Sequence, residues 1–143
     1  MRSEPLELIP SSPAIAICGR LTSCTAAVSW ERASMRNVRA YSGVYVLDLG
    51  CGLGGASRYL AAECGCRVAA IDLTPNFVKG ARILTARCGL AERIEFRQAN
   101  AVALPFKDGI FDHVWSYAVT MNIADKEGLG REVARVLKPG RRF

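Results

Sequence analysis

One stretch, residues 46–55, decides most of what this chain can fold into. Val46, Leu47, Asp48 and Leu49 are an apolar run broken by a single acid, and Gly50, Cys51, Gly52, Leu53, Gly54 and Gly55 follow at once. Glycine turns a backbone sharply and lets it approach a ligand with no Cβ in the way. The next residues, 55–64, carry Tyr59, Leu60 and Glu63 at helical spacing. A strand, a glycine turn and a helix in that order put the helix's first unpaired N–H groups beside the turn. That is the setting a nucleotide-binding turn requires.

The alternation continues beyond the turn. Val44–Leu47 reads as the first strand and Arg67–Ile71, closed by Asp72, as the second. Thr74 and Pro75 open a helix, with threonine at the N-cap and proline in the first position. That helix carries Phe77, Val78, Ala81, Ile83 and Leu84 and stops near Gly89. Arg93–Gln98 reads as a third strand with Ile94 and Phe96 on one face. Leu104-Pro105-Phe106 is a loop, Lys107-Asp108-Gly109 a turn, and Phe111–Trp115 a fourth strand. Asp125–Leu137 is a helix with Leu129, Val133, Val136 and Leu137 on one stripe, stopped by Lys138-Pro139-Gly140. Strands alternating with helices predict an α/β fold: a Rossmann-like parallel sheet with helices on both faces. The first two strands are continuously apolar, as strands buried on both faces should be.

Two ligand readings fit the glycines. Gly50, Gly52 and Gly54 form a GxGxG turn; Gly50, Gly52 and Gly55 form the dinucleotide fingerprint. Asp72 follows Gly50 at a distance that suits a ribose-binding acid in either case. Asp48 separates them. A carboxylate at the end of that strand is badly placed against a pyrophosphate, because both are anionic. It suits a ligand with positive charge and hydrogen-bond donors, such as the amino acid portion of S-adenosylmethionine.

Composition excludes several other classes. The chain has 143 residues, enough for one domain, with 50% hydrophobic and 22% charged residues. Wholesale disorder is excluded, and no apolar run is long enough to span a membrane. The net charge of +6 is dispersed rather than gathered on one element, which argues against a nucleic-acid partner. The six cysteines (Cys18, Cys24, Cys51, Cys64, Cys66, Cys88) show no CxxC pair and no cysteine/histidine ligand spacing, so no metal site is expected. They read as reduced thiols in a cytoplasmic setting. An organellar transit segment is left open by the Ser, Thr and Arg content of the first residues, although Glu4 and Glu7 count against it.

Residues 46–54 resemble the first motif of the class I S-adenosylmethionine-dependent methyltransferases. Ala70-Ile71-Asp72-Leu73-Thr74 is similar to their second motif. Asn100–Phe106 and Phe111–Ser116 resemble the loop and fourth strand of their small-molecule branch, and Glu132–Gly140 the helix and turn before strand five. The resemblance implies S-adenosyl-L-methionine as cofactor and methyl transfer to the oxygen, nitrogen or carbon of a small molecule. It implies a partial fold with strand order 3-2-1-4. Asp48 and the backbone of Gly50, Cys51, Gly52 and Gly54 would hold the aminoacyl and ribose parts. Asp72 would accept from both ribose hydroxyls, and Leu73 would pack on the adenine. Asn100, where many relatives carry aspartate, would accept from the adenine amino group. Ala101 would offer its N–H to the ring, and Ser116 would face the cofactor near the transferable methyl. Tyr117, Met121 and Asn122 follow Ser116 and belong either to the acceptor side or to packing. No catalytic base is singled out; His113, the one histidine, reads as a structural residue inside a strand.

Residues 1–43 read as a divergent leader, poorly ordered or weakly helical around 26–39, and 44–143 as an incomplete methyltransferase domain lacking strand five and beyond. Strand four is then expected at an exposed sheet edge, open to self-association. Two further functions compete with methyl transfer: a non-catalytic methyltransferase-like binding protein, and a nicotinamide-dependent dehydrogenase.

Overall fold

The computed structural model describes residues 42–141, so the expected leader falls almost entirely outside them. Strands β1 (Tyr45–Leu49), β2 (Arg67–Asp72), β3 (Ile94–Gln98) and β4 (His113–Ser116) form one parallel sheet. Their order is β3-β2-β1-β4, as expected, with β4 at one edge among the described residues. Helices α1 (Gly55–Ala62), α2 (Pro75–Arg87) and α3 (Lys126–Val136) link or follow the strands, and a short 3₁₀ turn spans Thr120–Asn122.

The period of two along each strand sorts the core into two halves. Val46, Val68, Ala70, Ile94 and Phe96 face one way and pack with Leu60 and Ala61 of α1 and Val78 and Ala81 of α2. Leu47, Leu49, Ala69, Ile71 and Val114 face the other way, onto Leu129, Val133 and Val136 of α3. The two central strands are therefore covered on both sides, which is why their sequences are apolar without interruption.

Local chemistry sets the element ends. The first helix stops at Ala62, two residues short of the sequence expectation, because Gly65 takes φ 68 and the Cys66 N–H turns back to the Leu60 carbonyl. Thr74 does sit at the N-cap of α2, but its side chain makes no capping bond; its N–H instead donates to Asp72 Oδ1 at 2.9 Å. Asp125 caps α3 by accepting from the Gly128 N–H at 2.7 Å. The fourth strand begins at His113 rather than at Phe111. Phe111 is drawn out of the sheet: its N–H donates to the Val136 carbonyl at 3.0 Å and its carbonyl accepts from the Lys138 N–H at 2.9 Å. Its buried ring meets Phe106 edge-on at 5.0 Å and Tyr45 at 4.7 Å, fastening the end of α3 to the sheet.

Candidate functional site

In an open parallel sheet, ligands bind beyond the carboxyl ends of the strands. Here register brings Leu49, Ile71 and Ser116 side by side at that end, with Asp72 one residue beyond. The glycine loop springs from the same edge. Gly50 and Cys51 donate their N–H groups to the Ile71 carbonyl at 2.8 and 2.9 Å, and Gly54 donates to the Cys51 carbonyl at 2.8 Å. Gly50, Gly52 and Gly54 have φ of 70, 52 and 78, a region that residues with a side chain adopt only at a cost.

The glycines are not equivalent. A Cβ on Gly50 would lie 2.3 Å from Val119 Cγ2, so this position is filled by the chain after β4. A Cβ on Gly54 would press on the Phe96 ring at 2.8 Å and on Arg58 at 3.0 Å. A Cβ on Gly52 would meet nothing within 4 Å. Gly52 is thus the point where the loop backbone faces open space. The Cys51 side chain is buried in the core, and its N–H and carbonyl are both engaged within the turn. Burial first, and then the charges of Asp48 and Asp72, push its thiol far above the usual range and keep it neutral.

The two acids hold different positions. Asp48 lies within β1, 2% exposed, and accepts a 2.5 Å hydrogen bond from Ser57 Oγ of α1. Asp72 is half-buried at the end of β2. Its Oδ2 accepts from the Gly52 N–H at 2.9 Å, and its Oδ1 from Thr74. Each carboxylate oxygen has two lone pairs, so Asp72 keeps acceptor capacity beyond these bonds.

The remaining predicted residues lie at the same end of the sheet. Leu73 is 66% exposed directly after Asp72, an apolar surface held by the Gln98 side-chain bond to its carbonyl at 3.3 Å. The segment after β3 is brought to the same place by Ala99, whose N–H donates to the Asp72 carbonyl at 3.1 Å. Asn100 is exposed there, and its Oδ1 already accepts from the Val102 N–H at 3.1 Å; Ala101 follows, packed on the α3-side core. Ser116 stands at the end of β4 with its hydroxyl buried and without a hydrogen-bond partner. An unpaired buried hydroxyl at the ligand-binding end of a sheet, an open glycine and two acids fit a polar ligand carrying a cationic arm. After Ser116, Tyr117 and Met121 present exposed apolar surface, and between them the backbone reaches φ 55 at Ala118.

His113 lies elsewhere. It pairs with Val46, three residues before Ser116, at about 3.3 Å per residue towards the amino end of the sheet. Its side chain is exposed on the edge strand rather than enclosed, and that distance removes it from the crevice. Sequence reasoning missed Ser57, Arg58 and Val119. No periodicity marks them; each acquires its role only when α1, or the segment after β4, folds back on the loop. Among the described residues no group of cysteine, histidine or carboxylate side chains could hold a metal ion.

Known proteins resemble this chain in sequence and in fold. The tocopherol O-methyltransferase of Arabidopsis thaliana chloroplasts is 43% identical over 98 residues, which are 68% of this chain and 28% of that protein. A sarcosine/dimethylglycine N-methyltransferase from Halorhodospira halochloris is 40% identical over 99 residues, 69% of this chain and 36% of the relative. The crystal structure of the [4+2]-cyclase SpnF superposes with a TM-score of 0.72 at 29% identity, covering 80% of this chain and 42% of that one. The chain therefore spans well under half the length of these relatives. A family model described as a methyltransferase domain matches residues 47–143, and on that match the chain belongs to the methyltransferase domain family.

Proposed function

We propose that the chain forms the cofactor-binding part of an enzyme that uses S-adenosyl-L-methionine to methylate a small molecule. The observation that carries this reading is the pair of acids around one glycine turn: Asp48 sealed beneath it and Asp72 bonded to its middle glycine. Two carboxylates so placed repel a diphosphate and attract a cationic, hydroxyl-rich ligand.

Asp72 would take the ribose hydroxyls on its spare lone pairs, and Leu73 would cover the base, with Asn100 and Ala101 at its edge. The open backbone at Gly52 and the buried charge of Asp48 would receive the aminoacyl arm, with Ser116 opposite. The bound cofactor supplies a methyl group already activated on a sulfonium. What the chain must add is alignment, so that an acceptor atom attacks in line. Tyr117 and Met121, exposed just past Ser116, line the acceptor's approach. The dispersed charge supports a small molecule rather than a nucleic acid as acceptor.

Calorimetric titration with S-adenosylhomocysteine tests the reading. Saturable binding that falls about tenfold or more in Asp72→Ala is expected, the scale of one lost charge-assisted contact. Saturation by NAD instead would select a dehydrogenase, and no heat with either would leave a non-catalytic binding role.

A further inference from the structure

The glycine loop is held from the front by Asp72. It is also held from behind, by a residue with no obvious reason to be there. Arg58 of α1 is 1% exposed, and its Nη1 donates to the Leu53 carbonyl at 2.7 Å and to Thr85 Oγ1 of α2 at 3.4 Å. Its Nε is buried without a hydrogen-bond partner. A guanidinium this deep normally answers to a carboxylate; this one is committed to two neutral oxygens. Its own N–H also donates to the Gly54 carbonyl at 3.0 Å, so one residue holds both carbonyls at the junction of loop and helix. Gly54 makes room for it, since a Cβ there would lie 3.0 Å from Nη1.

We infer that Arg58 is a positioning residue. It fixes the Leu53 peptide so that the neighbouring Gly52 peptide, tied to Asp72, keeps a ligand-ready shape before any ligand arrives. The inference rests on the function proposed above. Packing alone would be served by an unbranched apolar side chain, which spares the desolvation of a buried guanidinium. The cost of burying this charge is offset only if the loop's shape matters. Thr85 extends the brace to the helix that follows Asp72, so the two walls of the crevice are fastened through one guanidinium.

The test compares two probes on the whole chain: S-adenosylhomocysteine, and 5′-methylthioadenosine, which is the same nucleoside without the amino acid arm. In the proposed function Gly52 and Asp48 receive that arm, whereas Asp72, Leu73, Asn100 and Ala101 hold the nucleoside that both probes share. Arg58→Met is expected to stay folded, with the desolvation it spares set against the Leu53 carbonyl it leaves without a donor, and to lose about tenfold in S-adenosylhomocysteine affinity, while methylthioadenosine changes by less than about threefold. Arg58→Lys, which keeps the charge but not the two-point geometry, is expected to show the same split. Should Arg58→Met fail to fold, Thr85→Val carries the test, with a split of about two- to threefold. Equal losses for both probes, or none for either, would overturn the positioning role while the proposed function stands. Wild-type protein that binds neither probe would instead remove the proposed function, and this inference with it.

Discussion

Asp72, the last residue of β2, accepts the Gly52 N–H at 2.9 Å and so ties the second strand to the turn that follows the first. The same carboxylate orders the start of α2 through Thr74. One acid therefore shapes the crevice and offers its remaining lone pairs to a ligand. Asp72→Asn should separate the two tasks. The amide oxygen can still accept from Gly52 while the amide nitrogen cannot accept from Thr74, so thermal stability should fall by about 1 kcal/mol, the scale of the one bond lost. The lost charge and the new donor should weaken S-adenosylhomocysteine by about tenfold, measured by calorimetry.

Gly52 and Gly54 give opposite expectations although both have positive φ. Alanine at Gly54 meets the Phe96 ring at 2.8 Å in a buried position. Overpacking and backbone strain together should cost about 2–4 kcal/mol in chemical denaturation. Alanine at Gly52 meets nothing, so only the backbone term of about 1 kcal/mol applies. Its methyl nevertheless projects where a ligand would lie, and S-adenosylhomocysteine affinity should drop by about tenfold or more. A Gly52→Ala protein that binds as wild type would show that the open space is not the ligand's.

Much of this was legible in the sequence because the signals are local. The alternation of apolar strands with helices, the glycine run and the acids at both strand ends each need only neighbouring residues to be read. The strand order followed from family resemblance, not from periodicity. What stayed hidden depends on contacts made at long range. Arg58 has the sequence look of an exposed helical arginine, and only the fold reveals a carbonyl and a hydroxyl waiting for it. Phe111 fits a strand pattern, yet the carbonyl of Val136 and the N–H of Lys138 compete for its backbone and win. Val119 gives no hint of its seat on Gly50, because the turn at Ala118 that puts it there has a φ that alanine rarely adopts.

Ser57 matters for stability through Asp48. The carboxylate is 2% exposed and takes the Ser57 hydroxyl at 2.5 Å. Ser57→Ala removes a donor from a buried charge and should cost about 1–3 kcal/mol in urea denaturation. Ser57→Ala combined with Asp48→Asn should cost less than the sum of the two single changes, since the penalty arises from the charge left short of a donor.

Acid sensitivity should trace to the loop before β4. Glu132 of α3 accepts from Arg135 Nε and Nη2 at 2.8 Å each and from the Leu104 N–H at 2.6 Å. Arg135 also holds the carbonyls of Leu104 and Phe106 and the carboxylate of Asp108, so the pair pins the loop down. The guanidinium, aided by the Leu104 N–H, holds the Glu132 carboxyl at about 2, against an ordinary value of 4.5. The unfolded chain thus binds the proton more readily than the folded one, and folding stability falls as pH falls. The contribution should be complete above 4.5 and fade as pH drops from there towards about 2. Asp112, lowered by Lys138 and by the Tyr45 N–H, adds to the same acid limb. Glu132→Gln should therefore lower stability at neutral pH by about 1–3 kcal/mol and flatten, without abolishing, the acid slope. Urea unfolding midpoints measured across the acid range check this; a Glu132→Gln protein with the wild-type slope would place the acid sensitivity elsewhere.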